Sequence, residues 1–156
     1  MKLIKTKDGS TIEATIVPIR KVDYFTIRTS DQFDFDWNIE RENMVFVLKS
    51  VENQLVLGVM SLIKFPKENR VHLNLIEVTK MQQGKNKEIK NIAGCLIAFA
   101  CSISFSLNYF GFVSLESKTN LIDYYILEYG FKRYGKFLAV DSLDAILLIN
   151  KYLNHE

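Results

Sequence analysis

The chain has 156 residues, of which 48% are hydrophobic, 12% aromatic and 24% charged. This length corresponds to one domain that can bury a core without disulfides or metals. The composition excludes a disordered chain, and two prolines with seven glycines exclude collagen-like and low-complexity classes. A net charge of +2 disfavours a protein that coats nucleic acid.

The first half of the chain predicts strands. The Asp8-Gly9 pair is typical of a hairpin turn and separates two short strand-like runs, the second at residues 11–19. Residues 20–43 show no single pattern, but residues 33–37 alternate aromatic and acidic side chains, which predicts either a half-exposed strand or an irregular loop. Residues 44–50 and 54–63 predict a hairpin, and residues 71–78 predict a further strand.

In the second half, residues 92–115 contain no charged side chain and are long enough to span a bilayer. Several serines and a turn at residues 108–111 argue against a span. The stretch divides instead into a buried helix at 92–107 and a buried strand at 112–115. A helix at 120–129 ending at Gly130, a strand at 131–140 and a helix at 143–153 capped by Ser142 follow.

This order of elements predicts an α/β fold with a mixed sheet. No internal repeat or linker divides the chain, so residues 1–156 are predicted to form one domain. Cys95 and Cys101 are six residues apart in an apolar run, which predicts two buried thiols and a reducing, cytoplasmic location. The first residues lack the apolar core of a signal peptide. His72 and His155 are the only histidines, and no spacing predicts a metal site.

A lysine-rich loop precedes the predicted helix at residue 92. The N-terminus of a helix offers unpaired N–H groups and a dipole that favours anions. Small residues at Ala93 and Gly94 allow close approach, and four lysines add positive charge: Lys80, Lys85, Lys87 and Lys90. These features fit a phosphate or diphosphate site and a solvated loop before a core helix equally well.

Three stretches carry a resemblance to a known family. They are the hairpin strand at residues 55–63 with its Gly58, the strand–loop–helix segment at 76–96, and the late helix that runs into Gly130-Phe131. Residues 54–135 resemble the acetyl-CoA-dependent N-acetyltransferases of the GNAT superfamily. The resemblance implies a divergent member with a mixed, mainly antiparallel sheet flanked by helices, and acetyl-CoA as the acetyl donor.

The resemblance also implies which residues bind the cofactor. The Val78 N–H would hold the thioester oxygen, as in an oxyanion hole. The diphosphate would lie at the lysine loop and the start of the helix, which gives a second set of residues: Lys85, Lys87, Lys90, Asn91, Ile92, Ala93 and Gly94.

The sequence departs from the superfamily's loop pattern, [Gln/Arg]-x-x-Gly-x-[Gly/Ala]. Ala93 fits, whereas Glu88 stands at the Gln/Arg position and Asn91 at the glycine position. Asn91 tolerates left-handed backbone, but the charge of Glu88 counts against tight diphosphate binding. The chain also closes with a helix where the superfamily more often has a strand, which leaves the last sheet position open.

For catalysis, the resemblance points to a carboxylate that deprotonates the amine and a tyrosine that protonates the thiolate. Glu77 is the candidate base, and a surface carboxylate is the alternative. Tyr125, with Tyr124 beside it, is the candidate acid, although it lies five residues before Gly130 where relatives often have four. The alternative for Tyr125 is an aromatic residue that packs the helix.

The acceptor side is less defined. Trp37, Phe33 and Phe35, with neighbouring acids, would either line a pocket for a cationic amine or pack into the core. We expect a small-molecule or peptide amine as partner, with no nucleic acid and no membrane, and the apolar closing helix is a possible homodimer face. Two functions follow: an N-acetyltransferase acting by direct transfer in a ternary complex, or a catalytically inactive GNAT-fold binding module. Nucleic-acid binding through the lysine loop is a third, weaker hypothesis.

Overall fold

The computed structural model describes residues 1–154, which form a nine-stranded sheet. The strands are β1 (Lys2–Lys5), β2 (Thr11–Pro18), β3 (Met44–Ser50), β4 (Val56–Phe65), β5 (Arg70–Val78), β6 (Ile89–Lys90), β7 (Val113–Leu115), β8 (Lys132–Tyr134) and β9 (Phe137–Val140). Their order in the sheet is β6-β1-β2-β3-β4-β5-β7-β9-β8, and only β5 and β7 are parallel. The prediction of a mixed, mainly antiparallel sheet is therefore confirmed.

In the described part of the chain, four α-helices flank the sheet: α1 (Lys21–Thr29), α2 (Ile92–Ser106), α3 (Ile122–Tyr129) and α4 (Ser142–Tyr152). The larger core joins one face of the sheet to α2 and α4, and Leu96, Ile97 and Leu148 are buried there. A smaller cluster on the opposite face buries Ile27 of α1 together with Trp37. The two faces are thus covered by different segments, which is why the middle of the sheet is fully buried.

The region at residues 20–43 holds a helix that the sequence did not predict, whereas the irregular loop, one of the two alternatives for residues 33–37, is confirmed over residues 33–36. It contains α1, an irregular loop and a 3₁₀ helix at Trp37–Glu40. Only Asp23 and Ile27 of α1 are buried, while Val22 and Phe25 are more than half exposed. Because α1 has only nine residues and one of its two buried side chains is a carboxylate, apolar residues alone do not mark its buried face in the sequence.

The C-terminal elements correct two further details. Residues 131–140 form a hairpin, β8 and β9, rather than one strand. Ser142 is the first residue of α4, and Asp141 precedes it at the capping position. Strand β9 lies between β7 and β8, so the last sheet position is filled by a strand although the chain closes with a helix.

Helix α2 holds most of the uncharged stretch that raised the question of a membrane span. It has 15 residues. Within residues 1–154, no helix combines the length and the apolarity that crossing a bilayer requires.

A buried ion pair fixes α1 to the sheet. The Asp23 carboxylate lies 2.8 Å from the Nζ of Lys49 on β3, and both side chains are only 4% exposed. The same carboxylate accepts the backbone N–H of Arg20 at 2.8 Å. Burial by itself would raise the pKa of Asp23, but the hydrogen bonds from Lys49 and Arg20 outweigh it and hold the pKa below 3.8.

We predict that D23N lowers the free energy of unfolding by about 3 kcal/mol, because it leaves a buried ammonium group without its counter-charge. Because the pKa of Asp23 is lower in the folded state, its contribution is present above about pH 4 and is lost as the pH falls through the folded pKa. Urea unfolding of wild type and D23N between pH 3 and pH 7 measures both effects.

The matched control is D144N, which removes the exposed Lys132–Asp144 pair at 3.4 Å. That change should cost less than about 0.5 kcal/mol. Equal losses in D23N and D144N would contradict the role assigned to burial.

Candidate functional site

The site is built where two parallel strands separate. Strands β5 and β7 pair only at Val71–Val113, His72–Ser114 and Leu73–Leu115. Strand β7 then ends, while β5 continues to Val78, about 16 Å further at the usual strand rise. One edge of β5 is therefore unpaired along its second half.

Val78 presents its backbone to this open edge. The next residue, Thr79, donates its N–H to Leu57 of β4 at 3.1 Å. Neighbouring residues of an antiparallel strand direct their backbone groups to opposite sides, so the N–H and C=O of Val78 point away from β4. The side chain of Gln83 donates to that Val78 carbonyl at 2.7 Å, which agrees with this orientation.

A cavity of about 220 Å³ lies between the end of β5 and the start of α2, and we call it the α2 cavity. The first N–H groups of a helix have no partner within it, so those of α2 are available at this cavity. The residues that line it come from four parts of the chain: Val78, Gln82, Lys87, Ile89, Lys90, Asn91, Ile92, Ala93, Tyr124, Glu128, Tyr129 and Tyr152.

The backbone of Asn91 confirms one inference from the alignment. Asn91 has φ 76° and ψ 10°, the left-handed conformation for which glycine is favoured. Asparagine is among the few other residues that adopt it readily. The departure from glycine at this position therefore leaves the shape of the turn into α2 intact.

Of the charged residues that the sequence singled out near α2, only two line the α2 cavity. Lys87 and Lys90 line the α2 cavity, whereas Lys85 is exposed and is not among its lining residues. Glu88 lines a different cavity, of about 260 Å³, and is not among the lining residues of the α2 cavity. Lys80 forms an ion pair with Asp34 at 2.9 Å.

A group of aromatic rings covers the cavity from the side of α3 and α4. Tyr124 and Tyr129 line the cavity, and their ring centroids are 5.7 Å apart. The predicted acid, Tyr125, packs against Phe131 at 5.7 Å and is not a lining residue of the α2 cavity. Burial, followed by the neighbouring Tyr124, raises the pKa of Tyr125 above its usual value of 10.0, so its hydroxyl is protonated at neutral pH.

Glu77, the predicted base, is buried on the face of the sheet opposite α2. Its Oε2 accepts the Asp34 N–H at 2.7 Å, and its Oε1 accepts the Phe35 N–H at 3.4 Å and the Trp37 Nε1–H at 2.8 Å. One carboxylate thus fixes the loop that joins α1 to the 3₁₀ helix. The surface carboxylate that was the alternative in the sequence is excluded, because Glu77 is only 6% exposed.

The same loop also contacts the lysine loop directly. The Gln32 carbonyl accepts the Lys80 N–H at 3.1 Å, and the Gln32 Oε1 accepts the Met81 N–H at 3.2 Å. Gln82 holds the far side of the lysine loop, since its Oε1 accepts the N–H groups of Glu88 and Ile89 at 3.0 and 2.7 Å. The loop after α1 and the loop before α2 are therefore joined to the same strand end.

A second cavity, of about 420 Å³, lies beside the loop after α1, and we call it the loop cavity. Its lining combines aromatic and acidic residues with one arginine: Tyr24, Ile27, Arg28, Phe33, Asp34, Phe35, Asp36, Trp37 and Asn38. Trp37 is 2% exposed and packs in the smaller core while contributing to this lining. Trp37 therefore packs in the core and also lines a cavity, and these were the two alternatives that the sequence offered.

Within residues 1–154, no group of three or more His, Cys, Asp or Glu side chains is placed to hold a metal ion. His155 lies outside the described residues. The His72 Nδ1 lies 2.9 Å from the Ser114 Oγ, and burial followed by the charge of Arg70 lowers the pKa of His72 below 6.5. His72 is therefore a neutral sheet residue at pH 7.

No protein-family model matches the chain, and a search of curated proteins finds no match. Solved structures do match. Spermidine/spermine N-acetyltransferase SpeG from Vibrio cholerae superposes with a TM-score of 0.63 at 16% identity, over 86% of this chain and 98% of that chain. A GNAT family acetyltransferase from Brucella melitensis in complex with acetyl-CoA gives 0.57 at 16% identity, over 83% and 88%.

The chain has the GNAT fold. A third match, N-acetylglutamate synthase from Neisseria gonorrhoeae complexed with coenzyme A and L-arginine, gives a TM-score of 0.59 at 12% identity over 83% of this chain and 33% of that chain. At these identities the likeness establishes the fold, and the resemblance noted in the sequence is confirmed at that level.

Two residues of the candidate site had no sequence signal. Gln82 organises the lysine loop through its side chain, but a polar residue in a polar loop does not stand out. Tyr152 comes from α4, some 60 residues after the start of α2, and only the packing of the two helices reveals it.

We predict that E77Q loosens the loop at residues 34–37, because an amide NH₂ replaces one acceptor oxygen and leaves at least one buried donor unpaired. Trp37 is the only tryptophan, so its fluorescence reports this loop directly. The emission of E77Q should shift to longer wavelength and become more sensitive to acrylamide.

The control is E52Q, which changes an exposed glutamate in a turn. Its Trp37 emission should match that of wild type. Identical emission and quenching in E77Q would show that the carboxylate does not hold the loop.

Proposed function

We propose that this chain is an N-acetyltransferase that moves an acetyl group from acetyl-CoA to an amine by direct transfer in a ternary complex. The observation that carries the proposal is the open edge of β5, which leads from Leu73 to Val78 and ends at the α2 cavity. A cofactor with an acyl thioester at one end and a diphosphate near the other fits such an edge followed by a helix N-terminus.

The residues present fit this cofactor. The N–H of Val78 would hold the thioester oxygen. The start of α2, at Asn91, Ile92, Ala93 and Gly94, would face the diphosphate together with Lys87 and Lys90, while Lys85 would contribute only long-range charge. Acetyl-CoA supplies an acyl carbon that is already activated toward amines, so the chain needs to position the two substrates and move one proton.

Glu77 and Tyr125 are the proposed proton acceptor and donor. Glu77 would take the amine proton directly or through water, and it would have to share its oxygens with the donors of the loop. Tyr125 would protonate the departing thiolate, and its raised pKa keeps it in the acid form. Because Tyr125 is not among the lining residues of the α2 cavity, Tyr124 is the competing candidate.

For the acceptor we propose a small-molecule amine. The loop cavity joins carboxylates at Asp34 and Asp36 to aromatic rings, a lining that attracts organic cations. SpeG, one of the structural neighbours, is named for spermidine and spermine. Peptide amines as acceptors and a cytoplasmic location stay predictions. A homodimer also stays a prediction, and the exposed Leu143, Ile146 and Leu147 of α4 would form its interface.

The alternative is a GNAT-fold module that binds a ligand without catalysis. Nothing in the comparisons favours it, since the neighbours reported above are an N-acetyltransferase, an acetyltransferase and an N-acetyl product synthase. Glu88, which supported it in the sequence, is not a lining residue of the α2 cavity. Turnover with an amine decides between the two functions.

We predict that acetyl-CoA binds the wild-type protein and raises its melting temperature, because a ligand of the native state stabilises it. K90Q should weaken binding about three- to tenfold at low salt, since Lys90 lies at the cavity, and the difference should shrink at high salt. Calorimetry with K67Q as the control lysine variant measures this. Absence of binding at millimolar acetyl-CoA would overturn the proposal.

We predict that E77Q and Y125F lower kcat while the dissociation constant of acetyl-CoA stays unchanged. Loss of a general base or acid costs about 10²–10⁴ in rate. The assay follows thiol release with an amine found in a screen of diamines, polyamines, amino acids and short peptides. Y124F is the matched variant: a larger loss in Y124F than in Y125F would move the acid to Tyr124.

A further inference from the structure

The closing helix α4 contributes a side chain to the α2 cavity. Tyr152 is the last residue of α4, is 2% exposed, and lines this cavity with Lys87 and Lys90. Its backbone carbonyl accepts a hydrogen bond from the Cys95 Sγ at 3.5 Å. The end of α4 is thus fixed to the first turn of α2, the part of the helix with unpaired N–H groups.

Gly94 shows how closely the ring approaches that turn. A Cβ built on Gly94 would overlap Cε1 of Tyr152 and would lie 2.5 Å from Cζ and 2.8 Å from Cδ1 of the same ring. Side chains do not approach so closely, so only glycine allows this packing. Because Cζ carries the hydroxyl, the hydroxyl oxygen lies beside the start of α2.

The charge around the hydroxyl suits an anion. Burial raises the pKa of Tyr152, so the phenol is a neutral donor at pH 7, and Lys87 and Lys90 add positive charge. Lys151 lies next to the ring, with its Nζ 5.1 Å from the centroid. Glu128 is the acidic residue of the lining, set against these three lysines.

We propose that Tyr152 is a cofactor-binding residue whose hydroxyl donates a hydrogen bond to the diphosphate of acetyl-CoA. The proposal rests on the proposed function, and it makes α4 part of the binding site. The proposal also changes the role of Gly94. Because Gly94 has no side chain, the ring of Tyr152 fits beside it and places its hydroxyl donor near the anion.

The test compares Y152F with wild type, because this change removes only the hydroxyl and keeps the ring over Gly94. Y134F, at a tyrosine 62% exposed on β8, is the matched control. Binding of acetyl-CoA is measured by calorimetry. S-acetylpantetheine, which carries the thioester arm without the diphosphate, is measured by thermal shift.

We expect Y152F to bind acetyl-CoA about tenfold more weakly, the usual effect of losing a hydrogen bond to a charged group. Its binding of S-acetylpantetheine and its melting temperature without ligand should match those of wild type and Y134F. G94A is the second variant. Its Cβ displaces the ring, so G94A should also weaken the binding of acetyl-CoA more than the binding of S-acetylpantetheine.

Acetyl-CoA binding by Y152F within twofold of wild type would overturn the inference and leave the proposed function intact. If Y152F weakened the binding of acetyl-CoA and of S-acetylpantetheine equally, the inference would also be overturned, because this result would show a structural role for the hydroxyl. Failure of the wild-type protein to bind acetyl-CoA would contradict the proposed function, and the inference with it.

Discussion

The separation of β5 from β7 is the constraint on which the site depends. The two strands share three residue pairs, and Asn74, the next residue of β5, is an extra residue opposite β4, where Ser61 pairs with Leu75 and Leu62 with Leu73. A bulge of this kind bends and twists its strand. Beyond it β5 stays paired to β4 on one edge only, so its other edge keeps backbone groups that a ligand can satisfy.

Because orientations alternate along a β-strand, the neighbouring residues Glu77 and Val78 of β5 face different parts of the site. Val78 turns its backbone groups toward the open edge, while the side chain of Glu77 points to the face covered by α1 and the loop after it. Gln32 joins that same loop to the lysine loop. An acceptor bound near residues 34–37 and a cofactor bound near α2 would therefore be positioned by the same strand end.

The sequence identified the elements whose patterns are local. Strand β3 and the start of α2 at Ile92 followed from apolar runs, and the alignment with the superfamily's loop pattern indicated that Asn91 could adopt left-handed backbone. Helix α1 was missed because it is held by the buried pair Asp23–Lys49 rather than by an apolar stripe. The surroundings of Glu88 were also out of reach, since a loop sequence does not tell which of two cavities a side chain faces.

The tyrosines of α3 show how finely helix geometry divides the site. Residues four apart lie on one side of a helix, and Tyr124 and Glu128 both line the α2 cavity. Tyr125, rotated by about 100° from Tyr124, packs against Phe131 in the core. The rotation between these two neighbouring residues of α3 therefore decides which of the two phenols lines the cavity. With Tyr152 contributed by α4, the cavity is lined by phenols from two helices, and a phenol O–H can donate a hydrogen bond to an anion.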